Sequence, residues 1–81
     1  MNKLRVLLVP EEGYEPIVSL TLSSTTTIKN VKNFLKFYLN YHYNTSLEYE
    51  HIIIRSLNDN DSLLDYNEDS RVLTIEYSLH I

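Results

Sequence analysis

Thr27-Ile28-Lys29-Asn30-Val31-Lys32 is the stretch whose reading decides the fold. Before it the chain alternates apolar and polar residues; from Ile28 onward the apolar period becomes that of a helix. Thr27 suits an N-cap, because its hydroxyl can accept from the free amides of a first helical turn. Ile28, Val31, Leu35, Tyr38, Leu39 and His42 then fall on one arc of a helical wheel. The period predicts a helix from Ile28 to about Tyr41, with His42 partly buried at its end. Asn44-Thr45-Ser46 closes it with residues that favour local turns.

Upstream, Ile17 to Ser23 alternates strictly: Val18, Leu20 and Leu22 on one face, Ile17, Ser19 and Thr21 on the other. Lys3 to Val9 reads as a second strand, with Leu4, Val6 and Leu8 against Arg5, Leu7 and Val9. Its outward positions are only partly polar, which predicts a central strand covered on both sides. Pro10 to Pro16 holds both prolines and the single glycine, so a loop joins the two strands into a hairpin. Downstream, Tyr49 to Arg55 reads as a third strand, with Ile52 and Ile54 as its core pair. Asn58-Asp59-Asn60-Asp61 is a turn, Leu63 to Asn67 a short 3₁₀ turn, and Arg71 to His80 a clean alternating strand. Parity and period predict a core of Leu4, Val6, Leu8, Val18, Leu20, Leu22, Ile28, Val31, Leu35, Ile52, Ile54, Leu63, Leu73, Ile75 and Tyr77.

Hairpin, helix, strand, short turn, strand is an α+β order in which one helix packs on a four- to five-stranded mixed sheet. In that order, Val18, Leu20, Leu22, Thr27, Ile28, Asn30, Val31, Lys32 and Leu35 resemble ubiquitin without a gap. Leu63, Asp65, Tyr66 and Asn67 resemble the family's Leu-x-Asp-Tyr-Asn segment. The resemblance covers about residues 3–79 and implies a β-grasp, ubiquitin-like domain spanning residues 1–81. It implies that the Tyr66 hydroxyl ties a loop to the backbone. It also implies that Lys32 is largely buried and paired with an acid of the later loop, for which Asp59 is the candidate. Such a pair is weak evidence for stability but can fix geometry.

Two departures bear on function. Conjugated relatives finish in a mobile Gly-Gly tail, whereas this sequence finishes Ser78-Leu79-His80-Ile81 without glycine. The apolar patch that ubiquitin receptors grip has its central isoleucine matched by Ile53, but its last-strand members fall on Thr74 and Glu76. An acid at the middle of a docking surface must be desolvated, which is unfavourable unless it is paired.

Eighty-one residues is the length of a single domain. There is no cysteine for a disulfide or a thiolate metal site. The formal charge of −4 runs against general nucleic-acid binding, which rewards Lys and Arg. No apolar run is long enough to span a membrane, and Met1-Asn2-Lys3-Leu4 leads straight into a strand pattern rather than a signal-peptide layout. The expectation is an intracellular protein of cytoplasm or nucleus.

Groups that invite chemistry have plain readings beside them. His42, His51 and His80 lie on three different elements and share no ligand spacing, so no metal or other cofactor is expected. No nucleophile elbow and no deep cleft is expected in so small a domain, hence no enzyme and no small-molecule substrate. Asp59-Asn60-Asp61 with Asp65 looks like a calcium loop, but the glycine is missing, Leu63 takes a ligand position and Ser70 replaces the last acid. The same acids resemble the acidic loop of Phox-and-Bem-type domains, without that family's loop glycine or second helix. Lys29, Lys32 and Lys36 share one helix edge; with Lys32 paired, two exposed charges are too few for nucleic acid.

Phe34, Phe37 and Tyr41 form a second helix stripe, centred about 120° from Lys29 and Lys36. A one-helix domain normally buries a single arc. Either the 10–16 loop, with Tyr14 and Pro16, folds over these rings, or they mark the edge of a partner site. In the second case Tyr38 is an extra contact, and Ile53 is a further candidate on the sheet. The expected function is therefore a non-conjugated, ubiquitin-like protein–protein interaction module, a domain of a larger protein or complex subunit. Its partner is a protein, not nucleic acid or membrane. One alternative is a modifier whose Gly-Gly tail lies beyond Ile81. The other is a Notchless-type module of ribosome assembly, which Leu73-Thr74-Ile75-Glu76-Tyr77 resembles; its critical acid would fall near Ser70, beside Glu68 and Asp69.

Overall fold

The computed structural model describes residues 3–13, 15–66 and 72–80. The β-branched and leucine-rich alternating runs form β1 (Lys3–Pro10), β2 (Val18–Ser23), β3 (Ile52–Ile53) and β4 (Val72–Leu79), with one helix, α1 (Ile28–Tyr43). The strands make a mixed sheet in the order β2-β1-β4-β3. β1 runs antiparallel to β2 and parallel to β4, and β3 pairs antiparallel with β4. This is the β-grasp arrangement, with four strands. The sequence positions expected to begin the last strand and to carry a Notchless-type acid, Glu68 to Arg71, lie outside the described residues, as do Tyr14 and Asn67.

The helix forms where the period changes. Thr27 is its N-cap, and the Thr27 hydroxyl accepts from the Asn30 amide at 3.2 Å. The other free amides of the first turn are met from across the fold. Ile28 N donates to the Asp61 carbonyl at 2.8 Å, and Lys29 N to the Asp59 carbonyl at 3.0 Å. These bonds satisfy donors that a helix start leaves orphaned, and they fasten α1 to the 58–63 loop. At the other end Asn44 takes the left-handed conformation, φ 57°, that stops a helix. The Asn40 amide then clamps the return loop: it donates to the Leu47 carbonyl at 3.0 Å and accepts from the Leu47 amide at 2.8 Å. That clamp buries Leu47, a core residue absent from the sequence-based core.

Ile28, Val31, Leu35 and Leu39 of α1 pack on Leu4, Val6, Leu8, Val18, Ile52, Ile75 and Tyr77 of the sheet, with Ile54 and Leu63 in the same cluster. Leu20, Leu22 and Leu73 pack against this core half-buried rather than inside it. Three expectations are corrected. β1 is central, but α1 covers one of its faces only; Arg5 is exposed and Leu7 half-buried, flanked in the ladder by Ser19 and Thr74. The third strand shrinks to Ile52–Ile53, because Tyr49–His51 curl into a 3₁₀ turn. That turn is closed by His51 N donating to the Glu48 carbonyl and by Glu48 N donating to His51 Nδ1, which takes Tyr49 and Glu50 out of the ladder while the His51 carbonyl still accepts from His80 N at 2.8 Å. His42 is exposed: no helix residue beyond Leu39 is buried, and the His42 ring packs on the rings of Tyr38 and Tyr41 rather than on the sheet core.

Candidate protein-interaction surface

α1 carries two apolar stripes, and the sheet takes one. The other stays outside: Phe34 is 44% exposed, Phe37 63% and Tyr41 84%. Spaced i, i+3 and i+7, their side chains stand on one side of the helix and form a convex ridge. The described part of the 10–16 loop leaves them open. At the edge of the ridge, Lys36 Nζ sits 4.6 Å from the centroid of the Phe37 ring, a cation–π contact. At its C-terminal end, His42 packs edge-on to Tyr41 with centroids 5.1 Å apart and lies 4.2 Å from Tyr38.

The structure separates the candidates. Phe34, Phe37 and Tyr41 lie together. Tyr38 is half-buried and packs against the core, so it borders the ridge from within. Ile53 is half-buried on β3, where strand alternation turns it away from its buried neighbour Ile52 and from the helix layer. Thr74 and Glu76 are exposed on β4, and Glu76 pairs in register with Val9. Tyr43 is a further exposed aromatic at the end of α1. Sequence reasoning missed it because the helix runs two residues beyond the predicted end. Ile17, Leu64 and Val72 are also exposed, as apolar side chains at protein surfaces commonly are.

The polar groups do structural work. Lys32 Nζ reaches Asp59 Oδ1 at 2.7 Å, with the Lys32 side chain 12% and that of Asp59 39% exposed. Tyr49, not foreseen in this role, donates its hydroxyl to Asp59 Oδ2. The bonds from Lys32 and then Tyr49 hold the Asp59 carboxyl below its usual range, while burial and the bond to Asp59 push the Tyr49 phenol up to about 12. The Tyr66 hydroxyl accepts from the Asn58 amide at 3.3 Å and donates to Asp61, the loop tie that the resemblance implied. Its bond to Asp61 raises the Tyr66 phenol. Tyr77 donates to the Pro16 carbonyl at 2.5 Å, and burial pushes its phenol up to about 12. Among the described residues no group of three His, Asp or Glu stands close enough to hold a metal ion.

No protein-family model matches the chain, and no curated protein matches it in sequence. Solved structures do match. Caldiarchaeum subterraneum ubiquitin superposes with a TM-score of 0.79 at 13% identity, over 99% of this chain and 96% of that one. A ubiquitin-fold protein from Arabidopsis thaliana gives 0.75 at 14% identity, over 100% and 89%. The ubiquitin-like domain of a second Arabidopsis thaliana protein gives 0.64 at 13%, over 98% and 79%. The chain is a β-grasp domain of the ubiquitin-like fold.

Proposed function

We propose that this domain is a protein–protein interaction module of a larger intracellular protein or complex subunit. In this reading it is a binding domain, neither an enzyme nor a conjugated modifier. The observation that carries the reading is the exposed ridge of Phe34, Phe37 and Tyr41. Aromatic side chains bury large areas while losing few rotamers, so they dominate the energy of many interfaces. The exposed Thr74 and Glu76 support a partner other than ordinary ubiquitin receptors, which would have to desolvate an acid there.

Photo-crosslinking tests the reading. A benzoylphenylalanine replaces Phe37 in one protein and the exposed Thr21 in another, each irradiated in extract of its native cells. A discrete protein adduct from position 37, suppressed by excess wild-type domain but not by a Phe34→Ala/Tyr41→Ala variant, is expected. Equal adducts from both positions, or equal suppression by wild type and variant, would overturn the interaction site. Codons for Gly-Gly closely following Ile81 in the natural gene would overturn the non-conjugated half of the reading.

A further inference from the structure

α1 differs from the rest of the chain in charge. The protein has eleven acids, seven bases and a net charge of −4. Its 16-residue helix, Ile28–Tyr43, contains no acid and carries Lys29, Lys32 and Lys36. Asp59 neutralises Lys32 at 2.7 Å. Lys29 is exposed, and the Lys36 ammonium lies over the Phe37 ring. Lys36 thus borders the aromatic ridge, Lys29 stands on the same helix edge about two turns before it, and the helix supplies no counter-charge of its own.

Shape restricts the occupant further. Three rings at i, i+3 and i+7 on a helix are knobs; they fill a hollow and do not form one. An exposed helix that presents such anchors is the inserted half of a helix-in-groove contact. Helix-on-helix packing supplies the same geometry when the groove lies between two partner helices.

We propose that α1 docks as a helical insert into an apolar groove of a partner protein, with Phe34, Phe37 and Tyr41 as anchors. The rim of that groove beside Lys29 and Lys36 is acidic. This rests on the interaction-module reading and names the partner's chemistry. Charges at such a rim steer encounter and fix orientation more than they add affinity. Single-stranded nucleic acid, which also stacks on aromatics, is disfavoured: a backbone needs a cationic track, and beside the Asp59-paired Lys32 the helix brings Lys29 and Lys36 alone, in a chain of charge −4.

The probe is a display library of three-helix-bundle miniproteins randomised over one two-helix face, selected against the full chain. Acid-rich binders are expected, weakened at least about 10-fold by Phe37→Ala. Lys36→Glu and Lys29→Glu should each weaken them several-fold, with circular dichroism confirming that every variant is folded. Binding should also loosen as salt rises from 50 to 300 mM, where screening by roughly the Debye length sets in. Binders that depend on Phe37 but carry no excess of acids and ignore both charge reversals would overturn this inference while leaving the interaction site intact. Binders indifferent to Phe37→Ala would overturn both. Two further results overturn the inference: saturable anisotropy of a labelled oligothymidine sensitive to Phe37→Ala, or a dimer in sedimentation that Phe37→Ala dissociates.

Discussion

Tyr77→Phe is the most informative single change, because it removes one atom with two consequences of different pH dependence. The Tyr77 ring is fully buried, and its hydroxyl bonds to the Pro16 carbonyl across 61 residues of sequence. Deleting the donor leaves that carbonyl underserved, which destabilises the fold by about 1–2 kcal/mol at pH 7. The phenol is also pushed up to about 12, by burial first and then by Glu15 and Tyr43 nearby. A folded-state value above the unfolded one near 10 means that the folded protein holds the neutral form. That contribution is complete below pH 10 and is lost as pH rises towards 12. Linkage puts the loss at about 1.4 kcal/mol by pH 11. The hydrogen bond is only part-buried, so solvent screening trims this to about 1 kcal/mol. The gap between wild type and variant should therefore narrow from about 1–2 kcal/mol at pH 7 to a fraction of that at pH 11. Tyr49 titrates alike in both proteins and cancels in the difference. Urea unfolding followed by far-ultraviolet circular dichroism at pH 7, 9, 10 and 11 measures it. A gap that stays constant across the series would refute the claim that the Tyr77 hydroxyl is held neutral by the fold.

Leu35 is fully buried in the helix–sheet core, so Leu35→Ala should destabilise by roughly 2–5 kcal/mol and lower the thermal midpoint sharply; an unchanged melting curve would contradict the facing of α1. Asp59→Asn should lower stability at neutral pH and flatten the acid limb. The folded Asp59 carboxyl is depressed by Lys32 and Tyr49, so its contribution is present above the unfolded value near 4 and is lost as pH falls through the folded one. Acid titrations of wild type and variant with equal slopes would count against that network. Titration with a generic ubiquitin-binding helix, watched by amide shifts, should give weak or no binding, given Glu76 and Thr74 on the outer sheet face; saturable low-micromolar binding centred on Ile53 would show that the acid is tolerated there.

Much of the fold was legible because its signals are local. A period of two on Leu4, Val6 and Leu8 and on Ile75 and Tyr77, and a period of 3.6 on Ile28, Val31 and Leu35, follow from backbone geometry alone. The Thr27 cap and the Leu63 turn carry their own short-range chemistry. Tyr49–His51 was misread as strand because nothing in an apolar pattern shows that a histidine ring will accept from the Glu48 amide. Leu47 was missed because its burial depends on Asn40, seven residues away. His42 was placed inside because the wheel assumes a surface under the whole helix, and burial on α1 stops at Leu39.

The candidate site divides in the same way. The sequence by itself determined that α1 carries more apolar faces than one sheet can cover, and that lysines but no acids accompany them. Both facts are counts along a helix and need no neighbour. Whether the surplus rings were core or surface was open, since the same Phe37 is a packing residue if a loop crosses it and a surface residue if none does. Only the tertiary structure decided this, by leaving Phe34, Phe37 and Tyr41 exposed and by setting Lys36 against the ridge while Asp59 takes Lys32. Exposure belongs to what lies opposite a side chain, and what lies opposite is set by contacts distant in sequence.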